Sequence, residues 1–151
     1  MIQIAHPGLP APGRLFAGPR PDPPAAAVAA LAAEGITTVA CLLAPPEGHD
    51  LEAAYARAPL QVLRFPIPDF GVPADTAAFR AFLRDLLDRL RTGESVYVHC
   101  YGGRGRTGTA LACLFILVGE SPATAVKTVR ARYRPEAVET SAQRRFVEAF
   151  C

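Results

Sequence analysis

Cys100 closes an apolar run and heads a loop of glycines and arginines: Ser95 to Gly108 reads SVYVHCYGGRGRTG. A buried strand that ends on a thiol and continues without bulky side chains is suited to holding an anion against a nucleophile. Gly102, Gly103 and Gly105 lift the Cβ restriction on a tight curl. The backbone N–H groups of Tyr101, Gly102, Gly103, Arg104, Gly105 and Arg106 can then surround a tetrahedral anion. The loop feeds the start of an apolar helix, whose free N–H groups and dipole favour negative charge. Arg106, six positions after Cys100, can return a two-pronged contact to phosphate oxygens. The same field acts on the thiol. A free cysteine titrates near ~8.5, and a helix N-terminus with an arginine lowers that to roughly 3.5–7.5. A shift of about 3 units is worth ~4 kcal/mol, which makes thiolate the expected resting form of Cys100. Alone, a cysteine at a strand end reads as a small buried hydrophobe. Arg106, Thr107 and the glycines at these spacings reverse that reading.

The flanking sequence supplies the elements that must position the loop. Proline and glycine crowd residues 1–24, with RLFAG (Arg14 to Gly18) as a short strand inside an extended lead-in over residues 1–12 and beyond. DPPAAAVAALAAEG predicts a helix capped by Asp22 and stopped at Gly35. ITTVACLL (Ile36 to Leu43) and QVLRFPI (Gln61 to Ile67) predict buried strands, with a short helix over Asp50 to Arg57 between them. Phe79, Phe82, Leu83, Leu86, Leu87 and Leu90 recur at helical spacing. SVYVH is a strand, and TGTALACLFILVG, apolar all round, is a buried helix ending at Gly119. SPATAVKTVRARY opens with a serine cap and a proline at the first helical position, and TSAQRRFVEAF supplies a last helix. Strands alternating with helices imply an α/β fold: a three-layer α/β/α arrangement around a mostly parallel sheet of four to five strands. In such sheets ligands bind off the carboxyl ends of the strands, where Cys100 falls.

Bulk composition agrees with one domain over residues 1–151. Half the residues are apolar and 20% are charged, which excludes disorder. A net charge of +2 and a pI near 8.5 argue against a nucleic-acid partner. Cys41, Cys100, Cys113 and Cys151 form no CxxC pair, so neither a disulfide framework nor a metal site is expected. The longest apolar run, Ala110 to Val118, is well short of the ~18 residues of a membrane span, and the first residues lack a signal-peptide pattern. The expectation is a cytoplasmic protein with no membrane insertion; oligomeric state is not legible.

HCYGGRGRTG resembles the active-site loop of the cysteine-dependent protein tyrosine phosphatase superfamily, in its dual-specificity branch, and is most similar to the compact kinase-associated phosphatases. FPIPDFGVP is similar to the family loop that carries the general acid, with Asp69 lying 31 residues before Cys100. VETSAQRRFVEAF is similar to the family's closing segment, which contains a water-positioning glutamine, here Gln143. The resemblance runs from about Gly13 to the end of the chain. It implies a dual-specificity phosphatase-like fold and a phosphoric monoester hydrolase without metal or organic cofactor. Cys100 is then the nucleophile, Asp69 the general acid and base, and Arg106 the transition-state clamp. Thr107 hydrogen-bonds the departing sulfur and His99 braces the loop. The implied partner is a phosphorylated protein or a small phosphate ester.

Bland readings stand beside these. Asp69 also suits a turn, and Thr140 with Gln143 spells a capping box. Arg104 is either a rim charge or, by resemblance to phosphoinositide phosphatases with a lysine at this position, the contact to a second phosphate. A phosphoinositide or inositol-phosphate phosphatase is therefore the alternative substrate class. Gly103 to Gly108 also satisfies G-x-G-x-x-G, but a dinucleotide site needs an acidic residue about 20 positions on, where the chain reads VKTVRARY. A non-catalytic phospho-binding module would lack Cys100, Arg106 or Asp69, and all three are present. Cys41, on a neighbouring strand, is the candidate disulfide partner for an oxidised Cys100.

Overall fold

The computed structural model describes residues 1–151. Five strands form one sheet in the order β1-β2-β5-β3-β4, comprising β1 (Ile2–Ile4), β2 (Arg14–Gly18), β3 (Thr38–Cys41), β4 (Gln61–Arg64) and β5 (Ser95–His99). All neighbours run parallel except β1, which pairs antiparallel with β2. The start of the lead-in is therefore an edge strand. Three residues are too few to show a period, and neighbouring prolines mask the signal. The strands β3 and β5 are buried at every position, as central parallel strands covered on both faces should be.

The two faces carry separate cores. Val96, Val98 and Ala40 point into the larger one, with α3 (Thr76–Arg91), α4 (Gly105–Leu117), α5 (Pro122–Arg132) and α6 (Ser141–Ala149). Tyr97, Val39 and Cys41 point into the smaller one, with α1 (Pro24–Ala33) and α2 (Glu52–Arg57). Two-residue alternation thus sends Cys100 to the larger core, on the opposite face from Cys41.

Helix ends follow local chemistry. Asp75 caps α3 by accepting from the Ala78 N–H at 3.0 Å, and Ser121 caps α5. Gly35 and Gly119, both at positive φ, stop α1 and α4. Asp22 does not cap α1. Pro23 is the N-cap residue and Pro24 opens the helix, so Asp22 lies one residue too early for its carboxylate to serve the first turn. The strands β3 and β4 are shorter than their apolar runs, because Leu42, Leu43, Phe65 and Ile67 continue as loops at the carboxyl edge of the sheet. The helix α4 begins at Gly105, so Arg106 and Thr107 lie in its first turn.

Candidate active site

His99 ends β5 with its ring fully buried. Its Nδ1 lies 2.9 Å from the Cys100 carbonyl and its Nε2 lies 2.7 Å from the Tyr55 hydroxyl. A carbonyl can only accept, so Nδ1 carries the proton and Nε2 accepts from Tyr55. Burial lowers the His99 pKa to about 4, which leaves the ring neutral near pH 7. His99 is thereby tied to the carbonyl at the head of the loop, with Tyr55 as an unforeseen second partner.

The loop after Cys100 is held by its carbonyls. That of Tyr101 accepts from the Arg20 N–H at 2.9 Å, and that of Gly102 from Arg134 Nη1 at 3.1 Å. The Gly103 carbonyl accepts from the Tyr133 hydroxyl. The Arg104 carbonyl accepts from the Gly108 and Val138 N–H groups, and Gly105's from Thr109 Oγ1 at 2.7 Å. No acceptor in the protein takes the N–H groups of Tyr101, Gly102, Gly103, Arg104, Gly105 or Arg106. A loop whose carbonyls are all engaged and whose consecutive amides are all free is an anion-binding concavity at a helix start. Gly103 is required here. It sits at φ 73°, and a Cβ would lie 2.5 Å from the Gly18 carbonyl carbon.

Arg106 is 2% exposed and spends its fork on four oxygens of three residues. Nη1 and Nη2 donate to the two Glu47 oxygens at 2.7 and 3.0 Å, Nη1 also to the Ile67 carbonyl at 3.0 Å, and Nη2 to Asp69 Oδ1 at 3.0 Å. The hydrogen bonds from Arg106 hold the Glu47 carboxyl below the usual carboxylate range. Glu47 also accepts from the Ala44 N–H at 3.1 Å, which ties together the loop after β3. Sequence reasoning missed Glu47. Its one signal is an acidic residue among prolines just past a buried parallel strand, the edge at which Cys100 also emerges.

Asp69 lies beside this arrangement, half exposed, with Oδ1 shared between Arg106 and the Phe70 N–H. Arg106 and Asp69 are thus in contact, and Cys100 lies near enough for its charge to act on Arg106. Cys100 is itself buried, at 3% exposure.

Gln143 realises its capping-box reading. Its Oε1 accepts from the Glu139 and Thr140 N–H groups at 2.9 and 3.1 Å, while its own N–H donates to Thr140 Oγ1. Its Nε2 donates to the Gly71 carbonyl at 3.1 Å, which joins α6 to the Asp69 loop. The amide is wholly buried: its oxygen is spent on two N–H groups, and one of its two Nε2 hydrogens on Gly71. Thr107 Oγ1 is buried without a hydrogen-bond partner, and so does not reach the Cys100 sulfur here. Leaving a buried hydroxyl unpaired costs about 1–3 kcal/mol, the kind of cost a functional site carries.

Arg104 is exposed and lines a pocket of about 210 Å³ with Asp69, Phe70, Tyr101, Gly102 and Glu139. Glu139 Oε1 would lie 2.8 Å from a Cβ at Gly105, so its carboxylate stands over the start of α4. Cys41 pairs in register with His99 and faces the other core, and burial raises its pKa. A disulfide needs Cβ vectors that converge, so Cys41 is not placed to resolve an oxidised Cys100. A larger groove between α1 and α2, lined mainly by alanine and proline, lies apart from these residues and offers no nucleophile.

The family model described as "PTP-SAK: Swiss Army Knife protein, DSP-PTPase phosphatase domain" matches residues 10–147. Cyclin-dependent kinase inhibitor 3 of Homo sapiens is 31% identical over 87 residues, which cover 56% of this chain and 41% of that protein. The chain spans less than half the length of the first curated relatives it matches. Among solved structures, the active form of Tk-PTP superposes with a TM-score of 0.74 at 28% identity, covering 94% of this chain and 92% of that one. Kinase associated phosphatase with its catalytic cysteine replaced by serine gives 0.77 at 22% identity, covering 89% and 83%. No helix is long and apolar enough to cross a membrane.

Proposed function

Because the chain belongs to the cysteine-based phosphatase superfamily, in the Swiss Army Knife DSP-PTPase phosphatase domain family, we propose that it hydrolyses phosphate monoesters through a phosphocysteine, with protein phosphotyrosine and phosphoserine or phosphothreonine as substrates. The observation that carries this reading is the ring of free amides from Tyr101 to Arg106, held open by its engaged carbonyls around Cys100.

The substrate phosphate accepts from these amides and from Arg106. Its charge competes with the Asp69 carboxylate for Arg106 Nη2, and Asp69 moves off to meet the ester oxygen. Cys100 thiolate attacks phosphorus in line, so an S–P bond forms as the P–O bond breaks. Once away from Arg106 and beside the anionic ester, Asp69 takes up a proton from solvent and gives it to the leaving oxygen. Water then attacks the phosphocysteine and gives a proton to the Asp69 carboxylate. The S–P bond breaks, inorganic phosphate leaves, and the thiolate returns. Thr107, whose hydroxyl has no other partner, donates to that sulfur after turning towards it. The charge gathered on the phosphoryl oxygens is met by donors already in place.

Arg104 and Glu139 both line the mouth, so its one cation is accompanied by a carboxylate besides that of Asp69. This supports a monophosphate over a polyphosphorylated inositol ring. Cys100→Ser tests the reading. It should abolish turnover of an aryl phosphate while phosphate still binds, because the loop amides remain. Turnover within tenfold of wild type would overturn it.

A further inference from the structure

Across the whole molecule four large apolar side chains are exposed: Met1, Ile2, Phe70 and Tyr101. The last two, at 59% and 56%, line the same pocket at the mouth of the anion loop. Neither exposure is slack. Phe70 adopts φ 61°, a left-handed backbone that bulky residues avoid. Its N–H is held by Asp69 Oδ1 and its carbonyl accepts from Thr140 Oγ1 at 3.3 Å, so the ring is kept beside the acid.

Tyr101 is fixed from behind. The Arg20 guanidinium lies 5.6 Å from its ring centroid, and the Arg20 N–H holds its carbonyl. Asp50 pairs with Arg20 Nη2 at 2.5 Å and keeps that guanidinium in place. One face of the tyrosine ring is therefore occupied by a cation. The ring belongs to the residue that follows the nucleophile, and it borders the pocket with Phe70.

We infer that Tyr101, backed by Arg20, is a specificity-determining residue, and that the mouth selects a planar aromatic leaving group, as in phosphotyrosine, over an alkyl one. Aromatic rings gain from stacked or edge contacts beyond the area they bury. A leaving phenol held in the loop reaches the pocket that Tyr101 and Phe70 border, whereas a serine side chain ends at its first carbon and leaves both rings in water. The inference rests on the proposed phosphatase reading and narrows its substrate class.

The experiment compares kcat/KM on one peptide sequence carrying phosphotyrosine or phosphoserine. Wild type should favour phosphotyrosine. Tyr101→Ala should cut that selectivity ratio about tenfold, mainly through the KM for phosphotyrosine, Tyr101→Phe should preserve it, and Arg20→Gln should give an intermediate loss. Wild-type inhibition by phenylphosphonate against methylphosphonate reads the same preference without a variant. Phenylphosphonate should bind about tenfold tighter. A ratio unchanged within twofold in Tyr101→Ala, or equal inhibition by the two phosphonates, overturns the inference while Cys100-dependent turnover still upholds the phosphatase reading. Turnover that survives Cys100→Ser overturns both.

Discussion

Removing Glu47 should damage catalysis although Glu47 never meets the substrate. Its two oxygens take both arms of the Arg106 fork, and Arg106 is 2% exposed. Hydrogen bonds to charged groups contribute about 1.5–3 kcal/mol each in stability, and partly exposed pairs lie at the lower end. The Glu47 side chain is 23% exposed, and Arg106 retains the Ile67 carbonyl and Asp69. Glu47→Gln should therefore cost about 2 kcal/mol of stability, since the amide oxygen can still serve the Ala44 N–H and one arm of the fork. The catalytic cost is larger. A guanidinium free to shift by ~1 Å loses about 10²-fold in rate. Glu47→Gln should lower kcat on an aryl phosphate about ten- to a hundredfold, and Glu47→Ala about 10²–10³-fold. The assay is steady-state turnover beside thermal melting. A Glu47→Ala enzyme with kcat/KM within threefold of wild type and a lowered melting point would reduce Glu47 to a stability residue and refute the argument.

Asp69→Asn should slow hydrolysis of esters with poor leaving groups by about 10²–10⁴ and that of a p-nitrophenyl ester far less; equal loss on both would remove the acid role. His99 is held at about 4 when folded, against about 6.5 unfolded. The unfolded chain therefore takes its proton first, so this contribution is whole above pH ~6.5 and falls by up to about 3 kcal/mol towards pH ~4. Urea midpoints between pH 7 and 4.5 should show that slope in wild type and not in His99→Gln; the same slope in both would contradict it. Tyr55→Phe, which leaves His99 Nε2 without its donor, should cost about 1–2 kcal/mol in urea melts, and an unchanged midpoint would show that the contact is idle. Gly103→Ala should lose phosphate binding, because its Cβ would strike the Gly18 backbone; calorimetry with inorganic phosphate reads this, and wild-type affinity would be evidence against the close approach.

The parts of the site that are contiguous in sequence were legible, and those that meet only across the fold were not. Cys100 to Thr107 carries its chemistry in one run, and Asp69 is flanked by a motif with proline and glycine to mark it. Glu47 has no such frame. Its partner lies 59 residues away, and only the parallel pairing of β3 with β5 brings their loops together. Tyr55 likewise reads as one apolar position of a short helix until β5 places His99 under it. Helix positions followed from period and punctuation, as at Ser121 and Gly119. The Asp22 cap failed because two prolines shifted the helix start by one residue, which composition cannot resolve. Gln143 fits two readings in the sequence; in the structure its oxygen serves the cap and its nitrogen donates to the Gly71 carbonyl.

The free amides of the loop also make it visible to isotope exchange. Amide protons in β5 and through most of α4 are locked into ladders and exchange only as those elements open. Between them, Tyr101 to Arg106 forms an island without internal acceptors, so these protons exchange without waiting for any segment to unfold. An anion that seats in the loop occupies all of them at once. A pulse of deuterium therefore reports occupancy directly, as a block of consecutive sites that falls silent when phosphate is added and regains its rate when phosphate is washed away. Such a readout needs no turnover, no chromophore and no knowledge of the natural substrate, so candidate ligands could be ranked even on an enzyme whose nucleophile has been removed.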